Sequence, residues 1–344
     1  MMPPLTVGQE ARLDMPSQHD APAGADLDAL SDLCTPWCIR VVATLRIADH
    51  VAAGVTDIDQ LAAAAGCHAE ALHHVLGHLV GKGVFEEPAP GRFALNQPAQ
   101  ALREAAPFLD LEGIGGRMAH AWGTLLTYTR TGAPGYAEVF GLPFWEDLAA
   151  HPEIAASFDA LMGPAGHGAP DADLPITGGW ASVKTVVDVG GGTGAMLAEI
   201  LRAGPHLHGI LVDHPGTVAR SAANFEAAGV AERVTTVGQS FFDPLPAGAD
   251  LYLLQKVLND WPEPETVAIL RRCADAARPG GRVVVNGGVV ADGEPKHLMI
   301  EMVLVGGTSS TLARFRELAR EAGLEVVAAE QQSSGRFVVE CRPA

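Results

Sequence analysis

Apolar residues recur at helical spacing through residues 32–51, which predicts a helix there. Thr56-Asp57-Ile58-Asp59 offers an N-cap ahead of an apolar run over 61–65, and Gly66 stops that helix. A further helix is predicted over 69–81. Residues 83–87 and 92–95, separated by a Pro-Gly turn, read as a small β-hairpin. Helix, helix–turn–helix and hairpin in that order describe a winged helix.

Residues 107–162 are helical and aromatic in texture, and 163–179 are rich in Gly, Pro and Asp, as a loop or linker would be. From residue 183 the pattern changes. Short β-rich runs at 185–189, 209–213, 233–237, 251–254 and 282–285 alternate with helical patterns at 195–203, 218–228, 265–277 and 312–322. Such alternation predicts a doubly wound, parallel α/β sheet. Two last runs, 325–328 and 336–341, flank a short polar turn and should pair as an antiparallel hairpin at one edge.

Composition narrows the partners. The chain has 344 residues, 48% hydrophobic and 19% charged, which suits a folded protein of about two domains. A net charge of −18 disfavours nucleic acid and anionic membranes. Within 26–105 five basic residues face ten acidic ones, and the 69–81 helix has no Arg or Lys, so its winged helix is expected to serve packing or dimerisation rather than DNA binding. Five cysteines form no CxxC pair, which predicts a reduced, cytoplasmic compartment and no metal site. Residues 1–25 have no apolar segment and read as a disordered tail; no run is long enough to span a membrane.

The strongest chemical signal is Asp188-Val189-Gly190-Gly191-Gly192-Thr193-Gly194. A strand enters a glycine turn and a helix leaves it, so a ligand can approach the backbone closely. The spacing suits either a dinucleotide or S-adenosylmethionine (SAM). Asp213, ending the next run, can accept from both ribose hydroxyls of either ligand.

Further along stand Ser240-Phe241-Phe242-Asp243-Pro244, Gln255-Lys256-Val257-Leu258-Asn259-Asp260-Trp261 and Arg278-Pro279-Gly280-Gly281. With Thr131-Gly132-Ala133-Pro134, Phe140-Gly141-Leu142-Pro143-Phe144-Trp145 and Phe158-Asp159-Ala160-Leu161-Met162, they make nearly the whole chain after the tail resemble a known family. That family is the class I SAM-dependent small-molecule O-methyltransferases with an N-terminal winged-helix dimerisation domain, of the plant caffeic-acid and actinobacterial antibiotic-tailoring types. The resemblance implies a Rossmann-like SAM-binding domain over 176–344, a helical substrate-pocket region over 106–175, a winged-helix domain over 26–105, and a homodimer. It implies that Gly190, Gly192, Gly194, Asp213, Ser240, Phe241, Gln255 and Trp261 bind SAM. Met118, Trp122, Phe144, Phe158 and Met162 would line the acceptor pocket.

The chain departs from this family at one informative place. Many members have a His where Asn259 stands, and that His takes the proton of the acceptor hydroxyl. An amide cannot. Asn259 is expected to orient the acceptor, with Asp260 or Glu301 as the alternative proton acceptor and His120, His167 and His297 as weaker ones. Either methyl transfer proceeds by proximity and orientation, as an acidic acceptor permits, or the fold has been repurposed for a non-methylating step such as hydroxylation.

Overall fold

The computed structural model describes residues 26–162, 174–294, 300–332 and 337–344, without the side chains of Ile300 and Glu301. The tail over 1–25 and most of the loop over 163–179 lie outside the described residues, as do His167 and His297.

The N-terminal region is helical. Asp57 caps Ile58–Ala65 by accepting from the amides of Asp59 (3.2 Å) and Gln60 (3.4 Å), and Gly66 closes it at φ 65°. Ala69–Gly81 buries Leu72, Leu76 and Leu79 on one face. Strands β1 (Glu86–Ala89) and β2 (Arg92–Ala94) form the antiparallel hairpin that follows. Asn96 ties hairpin to helix: its Oδ1 accepts from the amides of Phe85 at 3.2 Å and Ala99 at 3.1 Å. The single helix expected over 32–51 is two, Cys34–Thr44 and Ile47–Ala52, because the chain turns left-handed at Arg46 (φ 53°). That turn buries Ile47, Ala48 and Val51 while the Arg46 guanidinium stays exposed on Asp49.

The α/β part carries β3 (Thr185–Val189), β4 (His208–Asp213), β5 (Val234–Gly238), β6 (Leu251–Gln255), β7 (Arg282–Asn286), β8 (Val289–Val290), β9 (Ser310–Thr311), β10 (Leu324–Gln331) and β11 (Phe337–Pro343). Seven of them form one sheet in the order β10-β11-β7-β6-β3-β4-β5. Strands β3 to β7 pair in parallel; β11 runs antiparallel to β7 and β10 to β11, the expected edge hairpin. The short β8 and β9 make a separate parallel pair that sequence patterning does not reveal.

Both faces of this sheet are covered. Val187, Val189, Tyr252, Leu254, Val283 and Val285 belong to one apolar cluster, and their neighbours Val186, Leu251, Leu253 and Val284 to another. That is why the central strands read as nearly continuous apolar runs. Each fully buried Val or Leu contributes about 1.5–3 kcal/mol. The helix expected over 218–228 is also two, Pro215–Val218 and Ala222–Ala227. Ser221 stands at the break, its hydroxyl donating to the Val218 carbonyl at 2.7 Å in competition with the helical ladder. No helix among the described residues is long and apolar enough to cross a membrane.

Candidate functional site

From β3 the chain steps to β4 and β5 on one side, and from β6 to β7 on the other. The crevice where a sheet's winding reverses, outside the carboxyl ends of its strands, is where open α/β sheets bind ligands. Here it falls between β3 and β6.

The glycine loop leaves β3 at that point. Gly190, Gly192 and Gly194 have φ of 69°, 59° and 81°, a region that side chains resist. The loop is fixed from behind. A Cβ on Gly191 would sit 2.4 Å from Asp188 Oδ2, and one on Gly194 2.3 Å from the Phe225 ring. A Cβ on Gly192 would meet nothing within 4 Å, so this glycine borders open space. Gly194 then begins helix Ala195–Ala203.

Two carboxylates flank the loop. Asp213, at the end of β4, accepts from the amides of Gly192 (Oδ2, 2.8 Å) and His214 (Oδ1, 2.7 Å). Its burial raises its pKa, and those two amides work against that rise. Asp188 is fully buried and neither of its carboxylate oxygens has a partner among the described residues. Burial, then the neighbouring charge of Asp213, pushes it up to about 7.

Beyond β5, Ser240 accepts from the Phe242 amide at 3.2 Å, and Phe241 is buried with its ring 5.9 Å from that of Trp261. Phe242 meets Trp261 edge-on at 4.9 Å. Gln255 closes β6, part-buried, with Oε1 unpartnered. Lys256 follows at φ 55°, a left-handed conformation just past the end of the strand.

The turn Leu258–Asp260 carries the next two site residues. Asn259 Nδ2 donates to Asp260 Oδ1 at 2.7 Å, while Asn259 Oδ1 is buried without a partner. Burial pushes Asp260 up to about 8, against a lowering by Lys256. The backbone of Asn259 is hemmed in: a Cβ on Gly288 would come within 2.9 Å of its nitrogen and one on Gly307 within 2.7 Å of its oxygen.

Across from this turn lies the aromatic region. Met118, Phe144, Phe158 and Met162 share one cluster with Tyr136, Phe140, Trp145 and Leu304, so four of the five expected pocket residues are together. Trp122 stands outside that cluster and is 38% exposed. The side chain of Glu301 is not among the described residues, though its helix, Ile300–Leu304, brings Leu304 into the cluster. His120 is occupied elsewhere, its ring 5.3 Å from that of Trp37.

Two sets of contacts are not legible in the sequence. Trp145 stacks on Trp261 at 5.9 Å and 20°, and meets Phe158 edge-on at 5.5 Å, so it links Trp261 to the Phe144–Phe158 cluster. Beneath the wall, fully buried Asp147 takes the Tyr136 hydroxyl at 2.7 Å, with Arg117 at 3.4 Å and His151 at 3.0 Å. The Phe144-Trp145 pair was visible in the sequence; no spacing signals an Asp147 cluster gathered from three helices.

Comparisons with known proteins agree with this geometry. Residues 122–325 match the O-methyltransferase domain family. A 2,7-dihydroxy-5-methyl-1-naphthoate 7-O-methyltransferase of Streptomyces carzinostaticus is 41% identical over 88% of this chain and 93% of its own. The aclacinomycin 10-hydroxylase RdmB of Streptomyces purpurascens is 38% identical over 93% of this chain and 90% of its own. The crystal structure of an O-methyltransferase from neocarzinostatin biosynthesis, in complex with SAM and 2-hydroxy-5-methyl naphthoic acid, matches with a TM-score of 0.80 and 40% identity over 94% of this chain and 100% of that one.

Proposed function

The chain belongs to the SAM-dependent O-methyltransferases, and we propose that it methylates an oxygen of an aromatic or polyketide-like small molecule, with Asn259 orienting the acceptor in place of a general base. The observation that carries this reading is the Asn259–Asp260 pair beyond β6: the amide nitrogen is held by Asp260, and the amide oxygen, Oδ1, has no partner among the described residues.

The residues fit the cofactor. Gly192 borders open space, Asp188 has two buried oxygens lacking donors, and Asp213 ends β4 where a ribose would be read. Gly190, Gly192 and Gly194 would admit the methionine part, Asp213 the ribose, and Ser240, Phe241, Gln255 and Trp261 would surround the adenine side. Bound there, SAM supplies an activated methyl group on a sulfonium.

The chain's own residues supply placement. Phe144, Phe158, Met118 and Met162 exclude water and hold a flat apolar acceptor. Asn259 Oδ1 accepts from an acceptor hydroxyl, and Asp260 fixes the amide that presents it. A phenol of pKa about 10 is mostly neutral near neutrality. An acceptor made more acidic by a neighbouring carbonyl or carboxylate gives its proton to solvent unaided; the bond to Asn259 Oδ1 belongs to the neutral hydroxyl before that loss, and orientation then suffices.

Incubation with labelled SAM and a panel of hydroxynaphthoates and anthracycline-like phenols tests this. Label in an O-methyl product supports it; SAM binding with no transfer to any acceptor overturns it. The similarity to a hydroxylase favours a second reading, a non-methylating hydroxylation, which the same incubations run with dioxygen and a thiol reductant reveal as an oxygenated, unlabelled product. We also propose a homodimer: Leu27, Leu30 and Leu33 are exposed along the first helix and after it, and Trp37, later in the chain, is also exposed. Five free thiols suit a reducing, cytoplasmic compartment.

A further inference from the structure

Away from the methyl-transfer site, Cys34 and Cys38 lie one turn apart on helix Cys34–Thr44, so their side chains share a face. Their sulfurs are 3.8 Å apart. The fold brings His78, from helix Ala69–Gly81, up to them, and one ring nitrogen and the two sulfurs all lie within 4.8 Å of one another. His78 Nε2 is 2.8 Å from Thr35 Oγ1 on the same helix as the cysteines.

We propose that Cys34, Cys38 and His78 form a binding site for a thiophilic divalent ion, zinc being the chemical type, that clamps the first long helix to the helix of the helix–turn–helix.

The geometry is close to what such an ion needs. Two thiolates on a tetrahedral zinc, each at about 2.3 Å, stand about 3.8 Å apart. The sulfurs already have that separation. The imidazole has to approach by roughly 1 Å to reach its usual distance from the same ion. Thiolate and imidazole donors select zinc-like ions over magnesium or calcium, which prefer oxygen. Asp32 is an unsuitable fourth ligand: its carboxylate already accepts from the amides of Cys34 and Thr35 and the Thr35 hydroxyl, and pairs with Lys82. Water would fill the fourth position, and the exposure of Cys34 leaves a path for the ion. The sequence gives no such site because Cys34-x-x-x-Cys38 is not CxxC and its third ligand comes from another helix.

The test is a titration of the reduced, metal-stripped full-length chain with Co²⁺, followed by Zn²⁺ against a chromophoric chelator. One equivalent per chain, a thiolate-to-cobalt charge-transfer band and displacement by Zn²⁺ are expected. Cys34→Ser, Cys38→Ser and His78→Ala should each weaken uptake by tenfold or more, while Cys67→Ser leaves it unchanged. Equal melting temperatures of all variants in chelator would show that each still folds. Added zinc should raise the melting temperature of the parent chain and not of the three ligand variants. Absence of the charge-transfer band, uptake unaltered in the ligand variants, or a reduced chain that takes up no metal yet readily oxidises to a Cys34–Cys38 disulfide would overturn the proposal.

Discussion

The amide of Gly192 donates to Asp213 Oδ2 at 2.8 Å, joining the loop after β3 to the last residue of β4. The carboxylate assigned to the ribose therefore also holds the glycine turn in shape. On the proposed assignment, loop geometry and ribose recognition depend on one side chain.

Asp213→Ala should accordingly weaken SAM by more than a lost ribose contact. Hydrogen bonds to a charged group contribute about 1.5–3 kcal/mol each, so a loss of roughly 30-fold or more is expected. Calorimetry with SAM and S-adenosylhomocysteine measures it; unchanged affinity would remove Asp213 from the cofactor site.

Two glycines of the same turn should respond differently to alanine. At Gly192 the added methyl meets open space, so the fold loses only the left-handed penalty of about 1–2 kcal/mol while cofactor affinity drops. At Gly194 the methyl would meet the Phe225 ring at 2.3 Å, so the folded chain itself should be destabilised by about 3 kcal/mol or more. Melting temperature set beside SAM affinity separates the two.

Asp188 makes stability depend on pH. Its carboxyl titrates near about 7 in the fold and at 3.8 ordinarily, so between those values the folded chain binds more protons than the unfolded one. Stability from this group therefore falls as pH rises from about 4 to about 7, by up to roughly 4 kcal/mol. Denaturant melts across that window should show Asp188→Asn losing less stability than the parent chain in the absence of SAM; parallel curves would contradict the assignment.

Asn259→Ala should lower kcat/KM about tenfold or more on the true acceptor, with SAM affinity unchanged, since its amide is turned to Asp260 and not to the glycine loop. Asp260→Ala, by freeing that amide, should show the same pattern in weaker form. Steady-state rates with a saturating cofactor decide it.

Trp145→Ala should cost about 2–3 kcal/mol in stability and raise the acceptor KM, because it removes both the Trp261 stack and the Phe158 edge contact. Trp145→Phe, which keeps a ring there, should recover most of both losses.

Much of this architecture can be read from the residues. Val186, Val187 and Val189 are apolar in succession because β3 is covered on both faces, and the glycines follow where the strand must turn sharply. Arg46 and Ser221 show where reading fails. Neither interrupts the apolar spacing, yet one adopts a left-handed conformation and the other uses its hydroxyl against the helical ladder. The site divides the same way. The glycine loop and Asp213 are contiguous signals, whereas the Trp145–Trp261 stack and the Tyr136–Asp147–Arg117 group exist only once distant helices have packed.

Gly288 and Gly307 lie close against the main chain of Asn259, where a side chain on either would collide with it. The position behaves as a socket: its backbone is closely confined, and the group mounted on it is held through Asp260. A histidine and an amide at such a position differ by a single codon, on a main chain already fixed by its neighbours.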